Sequence, residues 1–210
     1  MESLEKIVKS IDPDIIALCG TKKASHIKKD ELKGYNVIEC NVKGGKEGLL
    51  IGIKNGTFKS IREVTDTELK NIMSVRIQYP RVNIRVIIAH APQETDEEEV
   101  RNEFFEEVAI QIERAITSGD KIILAGDFNA RILPGPDKVV AVKGSPNGKL
   151  FASIIGTYNL KVANFHDHAE GKWSRIQVDQ NGTVHKSLID YLLVQEDVFQ
   201  SIGRIREIPD

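Results

Sequence analysis

The chain has 210 residues, which suits a single domain, and 40% of them are hydrophobic, so it can bury a substantial core and is not expected to be disordered. Its 29 Lys and Arg residues nearly balance its 31 Asp and Glu residues, and the formal net charge is -2. The net charge of the chain therefore does not attract a polyanion, and a nucleic-acid ligand would need a local basic surface.

Neither the cysteines nor the hydropathy indicate a secreted or membrane protein. Cys19 and Cys40 form no CxxC pair, which argues against structural zinc and against a disulfide framework. No apolar run reaches the roughly 20 residues that a membrane-spanning helix needs. The charged N-terminal segment MESLEKIVKS lacks the apolar stretch of a signal peptide. We expect an intracellular protein, nuclear or cytoplasmic, without a membrane partner.

The first half of the chain is predicted to consist mainly of strands. An amphipathic helix is predicted over residues 2–11, because its apolar residues share one face. The continuous apolar run at 14–19 predicts a strand that is buried on both faces. Further strands are predicted at residues 35–39, 48–53, 57–64, 69–79 and 83–89.

The second half adds the longest predicted helix. Asp96 is predicted to cap a helix over residues 97–117. The apolar face of this helix comprises Val100, Phe104, Phe105, Val108, Ile112, Ala115 and Ile116. After a buried strand at 121–125, the Gly, Pro and Asn residues of 127–147 predict a long loop. A helix at 150–158 and strands at 160–163, 173–176 and 188–194 follow, and the whole pattern predicts two packed sheets with helices outside.

The sharpest motif is GDFNA at residues 126–130, directly after the strand KIILA. Strand alternation places Asp127 and Asn129 on one face and Phe128 in the core. An acid and an amide at a strand end can hold a water molecule or Mg²⁺ against a phosphate. The same triplet can instead close a strand as an Asx-turn. The complete sequence GDFNA after KIILA favours the interpretation as a phosphate or Mg²⁺ site.

GDFNA resembles the hallmark of the endonuclease/exonuclease/phosphatase superfamily. Further segments resemble other motifs of that family in the same order, namely PDIIALCGTKK (13–23), GGKEGLLIGIK (44–54), IIAHAPQET (87–95), NGKLFASIIGTYNLKVANF (147–165) and SLIDYLLV (187–194). The segment at 147–165 is similar to the branch formed by the endonuclease domains of non-LTR retrotransposon reverse transcriptases. The resemblance implies an α/β fold, a four-layered sandwich of two packed mixed sheets flanked by helices, formed by residues 1–210 as a single domain.

The resemblance also implies chemistry, namely hydrolysis of phosphodiesters or phosphomonoesters with Mg²⁺ or Mn²⁺. It implies that Asp127 orients or deprotonates the attacking water and that Asn129 contacts the phosphate. In the family, the acid matching Asp190 holds a histidine near the C-terminal end of the domain against the phosphate. His90 stands where the family has a tyrosine, and an imidazole can donate to a phosphate in its place.

Substrate-binding candidates lie around these residues. Gln93 and Ser187 are two of them, and they stand in the segments at 87–95 and 187–194 that resemble family motifs. Lys22 is part of a basic cluster with Lys23, Lys28 and Lys29, which is either a solvated face or the border of a nucleic-acid cleft. Trp173 can stack on a base or lie in the core. A further pair, His166 and His168, suggests a metal clip, although a solvated loop explains it better because no third ligand has suitable spacing.

The chain departs from the family pattern at three places. The metal-ligand glutamate falls at Gly20, so the ligand set is unknown, with Asp127 as a candidate. The first family strand and the C-terminal "SDH" segment have no counterpart in residues 1–210, so we expect a domain that lacks both.

The resulting interpretation is a DNA-nicking endonuclease of retroelement type with poor turnover. A reverse transcriptase domain in the same polyprotein is its expected partner. Alternatives are a repair-type nuclease or phosphatase, and a non-catalytic module that binds nucleic acid or protein.

Overall fold

The computed structural model describes residues 4–21, 32–41, 48–136, 138–170, 173–203 and 205–206. The helices are α1 (Leu4–Ile11), α2 (Glu98–Thr117), α3 (Pro146–Thr157) and α4 (Glu196–Phe199), with a 3₁₀ turn at Ala163–Phe165. The strands of the first half are β1 (Ile15–Cys19), β2 (Tyr35–Asn41), β3 (Gly48–Lys54), β4 (Ser60–Glu63), β5 (Ile72–Gln78) and β6 (Asn83–His90). Those of the second half are β7 (Lys121–Asp127), β8 (Ile132–Pro134), β9 (Val139–Ala141), β10 (Lys161–Val162), β11 (Ala169–Glu170), β12 (Arg175–Val178), β13 (Val184–Ser187), β14 (Asp190–Val194) and β15 (Ile205–Arg206).

Two sheets form the centre of the described structure. The smaller has the order β1-β3-β2 and is antiparallel throughout, whereas the larger has the order β10-β14-β7-β6-β5-β4 and is mixed. Strands β6 and β7 are parallel, and α2 is the crossover between them. The ribbons β8–β9, β11–β15 and β12–β13 lie outside the two sheets.

Three apolar clusters lie between the layers. Leu50 and Ile16 of the smaller sheet pack against α1. The other face of that sheet, including Ile51, packs against β5 and β6 of the larger sheet. The far face of the larger sheet packs against α2 and α3, with Phe104 and Phe151 in this third cluster. The order is therefore helix, sheet, sheet, helices, and the predicted four-layered sandwich is confirmed.

Strand β1 departs from its sequence-based prediction. It was expected to be buried on both faces, but Ile16 is its buried residue and Ala17 is exposed. Ala17 pairs in register with Ile51, so it lies on the face toward the larger sheet, and β1 is an edge strand of its three-stranded sheet. An edge strand is covered only in part, which an apolar run in the sequence does not reveal.

Two predictions about α2 are also wrong. Asp96 is not its N-cap: Glu97 holds that position without a side-chain capping bond, and Asp96 instead accepts a hydrogen bond from the backbone N–H of Gln93 at 2.7 Å. Val100 and Ile116, predicted on the apolar face, are 44% and 47% exposed. They lie near the two ends of a 20-residue helix whose buried residues run from 104 to 115.

The predicted loop at 127–147 contains regular structure. It holds the ribbon β8–β9, and α3 begins inside it at Pro146. Ser145 is the N-cap of α3, because its hydroxyl accepts the N–H of Gly148 at 3.1 Å. None of the helices in the described part of the chain is long and apolar enough to cross a membrane.

A cluster of buried ion pairs lies at the N-terminal ends of β6 and β7. Asp120, whose side chain is fully buried, binds Arg85 at 2.9 Å and Arg76 at 2.8 Å. A buried carboxylate is tolerated only when it is paired in this way. These contacts fix the register of the two parallel strands at one end, and their opposite ends are left to carry polar residues.

Candidate active site

Asp127 lies between two other polar residues in the larger sheet. Its Cα is paired in register with that of His90 on β6 and with that of Asp190 on β14. Parallel strands end at the same edge of a sheet, so β6 and β7 deliver His90 and Asp127 side by side. Nε2 of His90 lies 3.9 Å from Oδ2 of Asp127.

These residues share a cleft of about 770 Å³. The cleft is lined by Cys19, Gly20, His90, Ala91, Pro92, Gln93, Asp96, Asp127, Asn129, Ser174, Arg175, Ile189 and Asp190. The ends of β1, β6 and β7 thus bring Gly20, His90 and Asp127 together at one edge. A cleft with convergent polar groups is the usual form of a small-ligand site.

The backbone of the GDFNA motif explains its glycine. Gly126 has a φ of +147°, and a Cβ there would lie 1.9 Å from the carbonyl oxygen of Ala89 on the paired strand. A side chain at this position would force β6 and β7 apart. The glycine therefore allows the close pairing that places Asp127 beside His90.

The Asp-Phe-Asn triplet forms the Asx-turn that was one of its two sequence-based interpretations. Oδ1 of Asp127 accepts the backbone N–H of Asn129 at 2.8 Å, which is an Asx-turn, and Asn129 has a φ of 43°. The Nδ2 amide of Asn129 donates to the carbonyl of Ala91 at 2.9 Å. A side-chain amide has two N–H donors, so one has no partner among the described residues and can bind a ligand in the cleft. The turn closes the strand and also aims both side chains at the cleft.

Asp190 is placed by a residue that sequence reasoning missed. The hydroxyl oxygen of Ser174 accepts the backbone N–H groups of Ile189 at 3.0 Å and of Asp190 at 3.1 Å. Burial raises the pKa of the Asp190 carboxyl, and the negative charge of Asp127 raises it further, while the Ser174 hydroxyl and His90 lower it. The Asp190 carboxyl therefore holds its proton more readily than a solvated aspartate does.

Cys19 also lines the cleft, but its thiol is not a nucleophile. Burial raises its pKa to about 11, and the charges of Asp190 and Asp127 add to this rise. Its thiol donates weakly to the carbonyl of Ala89 at 3.5 Å. Because the thiolate is the reactive form, this thiol is inert at neutral pH. Cys19 and Cys40 are both free, and neither takes part in a disulfide.

The predicted substrate-binding residues fall into different places. Gln93 lines the cleft and is exposed. Ser187 lies on β13 outside the lining, where its carbonyl accepts the N–H of Ser174 at 3.0 Å. Trp173 is 45% exposed, so its interpretation as a core residue is wrong. Lys22 and the other lysines of the basic cluster lie outside the described residues.

The charges around the cleft are mostly negative. Among its described lining residues, Asp96, Asp127 and Asp190 are acidic and Arg175 is the cation. Sequence reasoning missed Arg175 and Asp96 as lining residues. Arg175 follows an exposed tryptophan at the start of a ribbon, and nothing in its local pattern distinguishes it from a solvated arginine. A phosphate in this cleft would be attracted by Arg175 and repelled by three carboxylates.

The histidine pair at 166 and 168 binds the chain itself. Nδ1 of His166 accepts the backbone N–H of His168 at 3.1 Å, and Nδ1 of His168 lies 3.0 Å from the carbonyl oxygen of Gly203. No third ligand joins them among the described residues. The solvated-loop interpretation, preferred on the sequence, fits these contacts.

This combination of layered sandwich and polar cleft matches a known class of protein. The chain belongs to the Endonuclease/Exonuclease/phosphatase family, whose model matches residues 1–201. No curated protein sequence matches the chain.

Several solved structures share this fold. The endonuclease domain of TRAS1, a telomere-specific non-LTR retrotransposon, is 15% identical with a TM-score of 0.64, covering 94% of this chain and 81% of that one. The AP endonuclease LMAP from Leishmania major is 15% identical with a TM-score of 0.71, covering 94% and 74%. The 3' phosphatase NExo from Neisseria, bound to a product DNA hairpin, is 14% identical with a TM-score of 0.64, covering 94% and 82%. These likenesses establish the shared DNase I-like fold.

Enzymes of this family generally use divalent metal ions, and the described residues do not form a ready site for one. Gly20 offers no ligand, and no group of three or more His, Cys, Asp and Glu side chains among the described residues is arranged to hold an ion. Mg²⁺ needs near-octahedral oxygen ligation with at least one or two carboxylates. Nδ1 of His90 is buried and has no partner among the described residues, and Cε1 of the same ring would lie 3.9 Å from a Cβ at position 20. The donor set therefore falls short of a preformed metal centre.

Proposed function

We propose that this chain is a DNA-directed phosphodiesterase domain of retroelement type that binds a backbone phosphate in its cleft and hydrolyses it slowly. The observation that carries the proposal is the register of the larger sheet, in which His90, Asp127 and Asp190 are neighbours on three adjacent strands. Asn129, Gln93 and Arg175 line the same cleft.

Each of these side chains suits a step of phosphodiester hydrolysis. Asp127 is the proposed base, because one of its oxygens is occupied by the Asx-turn and the other faces His90 across the cleft. Asn129, with its free N–H, and His90 are the proposed donors to the phosphate oxygens, where negative charge develops. Gln93 and Arg175 are proposed to hold the flanking phosphate and sugar groups.

DNA is the proposed substrate for two reasons. The similar structures include a retrotransposon endonuclease, an AP endonuclease and a phosphatase bound to a DNA hairpin. The segment at 147–165, which resembles the retroelement branch, forms α3, and this helix begins against the loops that carry the cleft residues. A reverse transcriptase domain in the same polyprotein is the proposed partner.

Slow turnover follows from the charges of the cleft. Gly20 leaves the family's metal position without a ligand, and Arg175 alone opposes three carboxylates among the described lining residues. Removing one electrostatic donor typically lowers the rate by about 10²–10³-fold. The missing ligand at Gly20 by itself also favours a second candidate, a non-catalytic module that kept the fold and binds nucleic acid or protein.

A nicking assay on supercoiled plasmid separates these candidates. We expect slow conversion to the open circle in Mg²⁺ or Mn²⁺, reduced at least about 100-fold by Asp127→Ala, since a general base contributes about 10²–10⁴-fold. Asp66→Ala is the matched control, because Asp66 is an exposed acid paired with Arg114 on the surface. Nicking that survives Asp127→Ala would assign the activity to a contaminant or to another site. Duplex binding with no nicking at all would favour the non-catalytic module.

A further inference from the structure

Asn147, the second residue of α3, makes contacts that a helix residue does not need for its own helix. It is fully buried, and its Nδ2 amide donates to the carbonyl oxygens of Pro92 at 2.9 Å and Asn129 at 3.2 Å, with Phe128 at 3.5 Å. Pro92 belongs to the loop after β6, and Phe128 and Asn129 belong to the loop after β7. One buried amide therefore joins the two loops that frame the cleft.

The orientation of this amide follows from what surrounds it. Carbonyl oxygens accept hydrogen bonds and cannot donate, so the NH₂ group must face them. The Oδ1 atom on the other side is buried and has no partner among the described residues. A buried amide that leaves its acceptor unused carries a cost. The role of the Asn147 side chain at this position is therefore to donate hydrogen bonds to the two loops.

The start of α3 binds the same two loops a second time. Ser145 donates its hydroxyl to Glu94 in the loop after β6 and accepts the N–H of Arg131 in the loop after β7 at 3.1 Å. Arg131 also binds Glu94 at 3.0 Å. A Cβ at Gly148 would lie 2.5 Å from the carbonyl oxygen of Arg131, so the helix approaches this loop as closely as its backbone allows.

We infer that Asn147 is a positioning residue, which sets the separation between Gln93, on the loop after β6, and Asn129, on the loop after β7. It touches neither solvent nor the cleft and acts through the carbonyls of Pro92 and Asn129. The inference rests on the proposed function, in which these two side chains contact the same stretch of DNA backbone. A misplacement of about 1 Å among such groups can lower a rate about 100-fold.

The test uses Asn147→Ala and a control that shares its general cost. Gln111 in α2 is also a fully buried amide whose oxygen has no partner among the described residues, and its Nε2 binds Glu107 at 2.8 Å within its own helix. We expect Asn147→Ala and Gln111→Ala to lower the melting temperature similarly, by roughly 2–8 °C. Asn147→Ser, which keeps a donor in a smaller side chain, serves where Asn147→Ala does not fold.

Two readouts distinguish positioning from stability. Hydrogen exchange of the backbone N–H groups of Ala91 and Asn129, which bind Asp127 at 2.8 Å each, should become at least about tenfold faster in the Asn147 variants only. The kcat of plasmid nicking should fall at least about tenfold in the Asn147 variants and stay within about twofold in Gln111→Ala.

The outcomes of the two readouts are separable. Equal loss of kcat in both positions, or unchanged exchange at Ala91 and Asn129, would overturn the positioning role. A parent chain that neither nicks nor binds a DNA duplex would refute the proposed function, and exchange alone would then decide whether Asn147 joins the loops.

Discussion

At the scale of single residues, the backbone conformation at Gly20 determines what a side chain introduced at this position could do. Its φ is +66°, a left-handed conformation that other residues adopt at a cost of about 1–2 kcal/mol. Space is not limiting, because a Cβ there would lie 3.9 Å from Cε1 of His90, an ordinary contact. A carboxylate introduced at this position would be strained in its backbone but free to reach the cleft.

We therefore expect Gly20→Glu to lower the free energy of unfolding by about 1–2 kcal/mol and to raise Mg²⁺ affinity by about tenfold or more. Gly20→Ala is the matched control, with the same strain and no carboxylate, and should show the first effect without the second. Urea denaturation and isothermal titration with Mg²⁺ measure the two effects. Equal Mg²⁺ affinity in both variants would mean that position 20 does not face the metal-binding region of the cleft.

The residues of the cleft differ in how far the sequence reveals them. Asp127, Asn129, His90 and Asp190 stand in motifs at strand ends, so their convergence could be predicted. Ser174 acts through its hydroxyl on two backbone N–H groups, a contact that depends on where a distant loop lies. In the sequence, Asn147 was only one residue of the family-like segment at 147–165. Its role could not be predicted, because it depends on two loops that meet in three dimensions.

At the scale of secondary-structure elements, α2 shows how burial is distributed along one apolar face. Ile112 is fully buried in the cluster between α2 and the larger sheet, whereas Val100 is 44% exposed near the start of the same helix. Both residues belong to one apolar stripe in the sequence. The cost of truncating them should differ because only one of them leaves a cavity.

Ile112→Ala should lower the free energy of unfolding by about 2–5 kcal/mol, from lost burial and the cavity left behind. Val100→Ala should change it by no more than about 0.5 kcal/mol. Urea denaturation curves of the two variants provide the comparison. Similar losses in both would show that the start of α2 is packed as tightly as its middle.

Elements were predicted well where the apolar pattern was long and continuous. The strands β6 and β7 and the body of α2 fall within two residues of their predicted ranges. The prediction errors arose where contacts with other parts of the chain determine the local structure. The cap of α2 depends on whether the carboxylate of Asp96 reaches Gln93 or the helix, and the ribbon β8–β9 depends on pairing between Ile132 and Ala141 that no periodicity indicates.

At the scale of the whole molecule, charge distribution limits how the chain can bind DNA. The formal net charge is -2, and Arg175 is the cation among the described lining residues of the cleft. The described lining therefore offers one cationic contact to a backbone phosphate. The contribution of Arg175 to DNA affinity should be measurable from the salt dependence of binding.

Arg175→Ala should weaken binding of a short duplex and reduce the slope of log K against log salt by about 0.9, the value for one phosphate contact. Arg62→Ala is the matched control, since Arg62 is exposed on β4 at the opposite edge of the larger sheet. Fluorescence anisotropy over a range of salt concentrations gives both slopes. Identical slopes for the two variants would place the DNA away from Arg175.

The order of strands in the larger sheet also has a consequence for biosynthesis. The cleft combines Gly20 with Asp127 and Asp190, and β14 is inserted between β10 and β7. During translation, β6, β7 and α2 can pair as soon as they emerge, but β7 keeps an open edge until the ribosome has released residues 190–194. Pairings so distant in sequence form slowly. A nascent chain therefore carries an unpaired, apolar strand edge while residues 128–189 are synthesised, the stage at which chaperones would be needed most.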